Sequence, residues 1–123
     1  MLRTLTVTAL AACLAFVPAL QAFAADSGPP ADVSAVRAAE IAQWPAHPTV
    51  GTPVKITDVR VVGDYAVLEW ENGESGGMSA YHRTSSGAWK RFMSGGGAFA
   101  AKDLEANGCP ASIAKQLVPG SPG

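Results

Sequence analysis

The chain has 123 residues, 48% of them hydrophobic, with nine basic and ten acidic side chains and a formal net charge of −1. This balance argues against a nucleic-acid-binding protein and against adhesion to an anionic membrane surface, because both need clustered positive charge. The length suits one domain.

Residues 1–24 have the pattern of a cleavable secretory signal peptide. Arg3 supplies a positive charge, an uncharged apolar run follows, and residues 22–24 form a small-x-small cleavage triplet. A membrane anchor is an alternative, but Pro18 and Gln21 shorten the run below the roughly 20 apolar residues of a spanning helix. A lipoprotein processed at Cys13 is a second alternative. We expect a periplasmic protein with no membrane span after cleavage.

Cleavage after Ala24 would leave residues 25–123, with eight basic and ten acidic side chains. Within them we expect a flexible lead-in over 25–30, one domain over 31–118 and a disordered tail over 119–123. Cys13 leaves with the signal peptide, so Cys109 has no intramolecular partner. Such a thiol is buried, intermolecular or reactive, and burial is favoured because free cysteine is among the most buried residue types.

The first predicted element is a helix capped by Asp32 or Ser34. Its apolar positions are Val33, Val36, Ile41 and Trp44, which follow a period near 3.6. We expect it to end before Pro45, because a residue that precedes proline avoids the helical region.

From Thr52 the apolar period changes to two, which predicts four strands. They cover residues 54–61, with a bend or bulge near Asp58, then 65–70, 78–83 and 88–93. The turns are placed at 63–64 and 84–87, and 71–77 is predicted as a loop. Short connections of this kind favour an antiparallel meander.

Short helices are predicted at 102–106 and from Cys109-Pro110 onward. The expected fold is therefore α+β, with the N-terminal helix packed on one face of a four-stranded antiparallel sheet. The one or two short C-terminal helices are expected near the edge of that sheet.

Met78, His82 and Met93 are the candidate metal ligands. Residues 78 and 82 share a strand face, Met93 lies on the next strand, and thioether and imidazole groups suit copper(I). His47 or Cys109 could complete such a site. The alternative is that the methionines fill the core and that His82 is a surface residue. No Cys-x-x-Cys spacing supports zinc.

Other patterns carry less chemistry. Residues 73–77 match G-x-S-x-G, but a nucleophile elbow joins a strand to a helix, and here the segment joins two strands. Glu69, Glu71 and Glu74 cluster at the same place, as an acid/base pair or as a solvated hairpin end. The strand aromatics are expected to pack against the first helix together with Trp44 rather than to form a stacking platform. They are Trp70, Tyr81, Trp89 and Phe92.

Glycine and tryptophan positions carry a family resemblance. The segments are Gly76-Gly77, Tyr81-x-Arg83, residues 87–90, 95–99 and 108–110, continuing through Leu117. They resemble small exported bacterial proteins of the copper uptake system-associated type. The resemblance implies a helix-plus-meander domain of cystatin-like outline and, for some members, a role in copper handling. It supplies no ligand set. Arg91 and Cys109 depart from it, since both stand where apolar residues are usual.

Two functions are expected from these observations. The first is a non-enzymatic periplasmic accessory protein associated with copper handling or uptake, whose partner is a copper-transport component or another periplasmic protein. The second is a protein- or peptide-binding or inhibitory module without a metal, which uses its strands and the 71–77 loop.

Overall fold

The structure is a computed structural model, and it describes residues 26–44 and 53–120. The predicted signal peptide, His47 and residues 121–123 lie outside the described residues. The elements in chain order are α1 (Pro30–Ile41), β1 (Lys55–Val62), β2 (Tyr65–Asn72), β3 (Ser75–Arg83), β4 (Trp89–Gly96), α2 (Ala101–Ala106) and α3 (Ala111–Leu117). The strands form one antiparallel sheet in the order β1-β2-β3-β4, which confirms the predicted α+β fold.

The β1–β2 and β2–β3 turns each contain a glycine with positive φ. The β1–β2 turn contains Gly63 at φ 61°, and the expected bulge in β1 lies between Ile56 and Asp58. The predicted loop at 71–77 is wrong, because β2 and β3 continue pairing through Asn72 and Ser75. Gly73 has φ 70° and no non-glycine residue in the described ranges has positive φ, so this connection is a two-residue turn with glycine first.

Both faces of the sheet are covered by helices. Leu68 faces α1 and Val67 faces α2 and α3, and both side chains are fully buried. The C-terminal helices were expected near the sheet edge; α3 contacts the edge strand β1, and α2 and α3 together also cover the face of the sheet that carries Val67. The reason is that β2 and β3 carry apolar residues on both faces, and an uncovered second face would leave them in water.

α1 begins at Pro30, with Pro29 as its N-cap and no side-chain cap, so neither Asp32 nor Ser34 caps it as predicted. Its buried residues are Val33, Val36 and Glu40, whereas Ile41 is 54% exposed. The predicted inward position of Ile41 was wrong, and a carboxylate occupies the buried position beside it.

The two edges of the sheet differ. Ser27 pairs in parallel with Arg60 on the outer side of β1, through backbone hydrogen bonds of 2.9 Å to Val59 and Val61. The start of the predicted lead-in is thus bonded to the sheet. β4 is the other edge, and within the described segments no strand pairs with its outer side.

Candidate functional site

The predicted metal ligands Met78 and Met93 lie on the same face of the sheet. Met78 is 6% exposed and belongs to the core cluster beneath α2 and α3, and the half-buried Met93 packs against that cluster. In the register, Ala80 pairs with Met93 and Met78 pairs with Gly95, so the two methionines are diagonal neighbours. Diagonal neighbours have Cα atoms about 7–8 Å apart, within reach of long side chains.

His82 is on this face but lies beyond Phe92. A register shift in β4 inserts Phe92 between Met93 and the residues that pair with the end of β3. The His82 and Phe92 ring centroids are 5.7 Å apart at 60°. The structure therefore places the two methionines at diagonal positions on one sheet face and places the His82 imidazole against the Phe92 ring.

Cys109 lies in the same cluster as the two methionines. It is 4% exposed and unpaired, which confirms the buried interpretation of this thiol. Burial raises its pKa, so the thiol keeps its proton at neutral pH. The sulfur of Met78 accepts a hydrogen bond from the Phe99 amide at 3.2 Å. Within residues 26–44 and 53–120, no three His, Cys, Asp or Glu side chains group closely enough to hold a metal ion.

The carboxylates near the β2–β3 hairpin have separate roles. Arg60 bonds Glu69 at 3.0 Å and Asp58 at 3.1 Å. Burial raises the pKa of Asp58 to about 6, with Glu69 adding to the shift and Arg60 opposing it. Glu69 and Glu71 also line a groove of about 350 Å³ beside Met78. Glu74 lies in the exposed turn, so the three glutamates do not converge on one acid/base site.

The strand aromatics pack as expected with α1, with one exception. Trp70 and Tyr81 are buried on the α1 side, and Trp44 meets Trp70 edge to face at 4.9 Å. Phe92 instead points to the opposite face, where its ring centroid lies 6.3 Å from the ring centroid of Tyr65. These rings are core residues and do not form an open stacking platform.

A buried carboxylate between α1 and the sheet was missed by the sequence reasoning. Glu40 is fully buried, and its Oε1 accepts a hydrogen bond from the Tyr81 hydroxyl at 2.6 Å and lies 3.5 Å from the Arg91 guanidinium. Its Oε2 accepts from Trp44 Nε1 at 2.8 Å and from Ser79 Oγ at 3.2 Å. Burial and the Glu40 carboxylate raise the pKa of Tyr81, so this phenol remains a donor.

The cluster continues to the surface through a second serine. Ser79 Oγ and Ser94 Oγ are 3.0 Å apart, and Ser94 is exposed. A carboxylate only accepts hydrogen bonds, so the Ser79 proton points to Glu40 and the Ser94 hydroxyl donates to Ser79. The free lone pairs of Ser94 therefore face solvent at the glycine-rich end of β4.

Arg91 was the sequence signal for this cluster. It departs from the family resemblance at an apolar strand position, which put the inward face of β4 in doubt. The structure gives the reason, because Arg91 faces α1 and pairs with the buried Glu40. A basic residue in an apolar strand slot indicates an acidic partner on the element packed against it.

No protein-family model, curated protein sequence or solved structure matches this chain. In the part of the chain that the structure describes, no helix is long and apolar enough to cross a membrane.

Proposed function

We propose that this chain is a non-enzymatic periplasmic accessory protein that binds copper(I) through Met78, Met93 and His82. The observation that carries the proposal is the diagonal placement of Met78 and Met93 on one sheet face, with only the small Ala80 side chain opposite Met93. Thioether sulfur is a soft ligand that selects copper(I) over harder cations. The resemblance to copper uptake system-associated proteins points in the same direction.

The proposed copper site must be open to solvent, and His82 must be able to reach the ion bound by the two methionines. Met93 and His82 are half-buried, so a metal ion can approach from their end of the sheet. Because Phe92 lies between them, binding by all three ligands requires the Phe92 ring to move aside. Copper binding should then change the environment of both the Phe92 ring and the His82 imidazole.

A non-catalytic role is supported by the use of charged side chains within the fold. Arg83 bonds both carboxylate oxygens of Asp32 at 3.0 Å, which lowers the pKa of Asp32. Arg60 similarly bridges Asp58 and Glu69. These pairs connect elements of the fold, and this use of charge is typical of structural ion pairs.

The test is an anaerobic titration of the purified protein with copper(I) in competition with bicinchoninate. We expect one ion per chain and a dissociation constant below about 1 µM. The double variant Met78→Leu, Met93→Leu should weaken binding at least about 100-fold, because leucine keeps the volume and removes the sulfur. His82→Ala should also weaken binding.

Lys90→Ala is the matched control, because Lys90 pairs with His82 in the register but offers no soft ligand. It should bind copper(I) like the wild type, and circular dichroism should show that every variant is folded. Binding weaker than micromolar, or equal binding by the wild type and the ligand variants, would refute the proposal.

A further inference from the structure

A groove of about 560 Å³ is lined by residues of α2, of α3 and of the segment that follows α3. This volume is typical of small-molecule sites, which measure about 300–1,000 Å³, and the walls of the groove are mainly apolar. Met78, His82 and Met93 are not among the described residues that line it. The groove is therefore separate from the proposed copper site.

The apolar walls come from small side chains on both helices. Ala101 of α2, Ala111 of α3 and Val118 after α3 line the groove. A methyl group on each helix leaves space that a larger side chain would fill. The two lysines of the lining, one on each helix, add to this surface, because a lysine carries an apolar stem below its ammonium group.

The charged groups of the lining are those of Lys102, Glu105 and Lys115. In the described segments, no carboxylate lies within ion-pair distance of either ammonium group. The three formal charges sum to +1, so a ligand with a single negative charge neutralises the lining. A carboxylate is such a group, and lysine binds it as a point charge.

We propose that this groove binds a fatty acid, with its carboxylate paired to Lys102 and Lys115 and its alkyl chain along Ala101, Ala111 and Val118. Chain burial is favourable because it removes apolar surface from water, and the ammonium groups fix the orientation of the ligand. A second copy of this chain is the competing occupant. It predicts that the groove becomes covered at high protein concentration without any ligand. The proposal is independent of copper binding.

The experiment is isothermal titration calorimetry of the purified protein with sodium dodecanoate, kept below the concentration at which it forms micelles. We expect one site per chain and a dissociation constant below about 100 µM. Dodecyltrimethylammonium has the same chain with a cationic head, and acetate has the carboxylate without the chain. Each should bind at least about tenfold more weakly than dodecanoate. Two-dimensional NMR should place the shifts caused by dodecanoate within residues 101–120.

Three variants separate the roles of the charges. Lys102→Met with Lys115→Met removes both ammonium groups and keeps long side chains, so it should weaken dodecanoate binding at least about tenfold. Lys55→Met with Lys90→Met is the matched control, because both lysines are exposed on strands and lie outside the lining. It should bind like the wild type. Glu105→Gln should bind about threefold more tightly, because it removes the negative charge of the lining.

Several results would overturn the proposal. One is the absence of saturable dodecanoate binding, and another is equal affinity for dodecyltrimethylammonium. A third is dodecanoate binding that the Lys102→Met, Lys115→Met variant leaves unchanged, or that the control variant weakens equally. Groove amides whose NMR shifts depend on protein concentration without ligand would identify a second copy as the occupant and would also overturn it. Circular dichroism should show that every variant is folded.

Discussion

Replacing Glu40 tests whether the buried carboxylate holds α1 on the sheet. Glu40→Gln keeps the shape but removes the charge and turns one acceptor oxygen into a donor amide. Trp44 Nε1 can only donate, so the remaining oxygen should face Trp44 and Ser79. The amide nitrogen then faces Tyr81 and Arg91, and the guanidinium loses its anionic partner.

The expected magnitude follows from these contacts. Removing one partner of a buried ion pair costs about 3–5 kcal/mol. The Arg91 side chain is 29% exposed and regains part of its hydration, so we expect the lower end of this range, about 3 kcal/mol. A domain of this size has a free energy of unfolding of about 5–10 kcal/mol. The variant should therefore fold but be substantially less stable.

Urea unfolding followed by tryptophan fluorescence measures the effect, since Trp44 lies in the cluster and contacts Trp70. With a urea m-value of about 1.5 kcal/mol/M, a loss of 3 kcal/mol lowers the midpoint by about 2 M. Glu105→Gln, on an exposed position of α2, should stay within about 0.5 kcal/mol of the wild type. A Glu40→Gln midpoint within about 0.3 M of the wild type would refute this account.

Three other outcomes are expected. Gly77→Ala should destabilise the fold by about 1–3 kcal/mol in urea, because its Cβ would lie 2.5 Å from a Trp70 ring carbon and would also contact the Gly95 carbonyl. Gly95→Ala should change the free energy of unfolding by less than about 0.5 kcal/mol, because a Cβ there would meet nothing within 4 Å. Equal losses of stability in the Gly77→Ala and Gly95→Ala variants would contradict the argument. The pKa of Asp58 is raised to about 6, against about 3.9 in an unfolded chain, so the folded state takes up a proton as pH falls from 7.5 to 5. Over that interval the wild type should gain stability relative to Asp58→Asn. A difference in free energy of unfolding between the two proteins that does not change with pH would be inconsistent with the raised pKa. Intact-mass spectrometry of the protein isolated from the cells that make it should give a chain that begins at Ala25, and retention of Met1 would exclude the predicted signal peptide.

The sheet could be predicted from sequence because its signals are local. The alternation of Val59 and Val61 and the glycine at 63 indicate strands and turns without reference to the rest of the chain. The β2–β3 connection was mispredicted because Glu71 and Asn72 are polar and are followed by glycines, which is typical of a loop. Their strand conformation depends on pairing with residues 75 and 76, and composition does not report pairing.

The buried cluster was missed because residue type and helix geometry disagree at the end of α1. At about 100° per residue, Glu40 lies close to the line through Val33, Val36 and Trp44, and Ile41 lies about 100° away from it. Hydrophobicity favoured Ile41 as the inward residue, and geometry favoured Glu40. Geometry decided the outcome, since Tyr81 and Arg91 on the sheet give the carboxylate its partners.

The bonding of Asp26 has a consequence for any processing near the N-terminal end of the described residues. Asp26 accepts the Val59 amide through Oδ1 at 3.0 Å and the Arg37 guanidinium through Oδ2 at 2.6 Å. Processing after Ala24 would leave only one residue ahead of it. A peptidase that trimmed three residues further would remove Asp26 and Ser27 together, strip the outer side of β1 and leave Arg37 without its carboxylate. Among the described residues, β1 would then present an unpaired outer side as β4 does, and an exposed strand edge is a site at which strands of other molecules can pair.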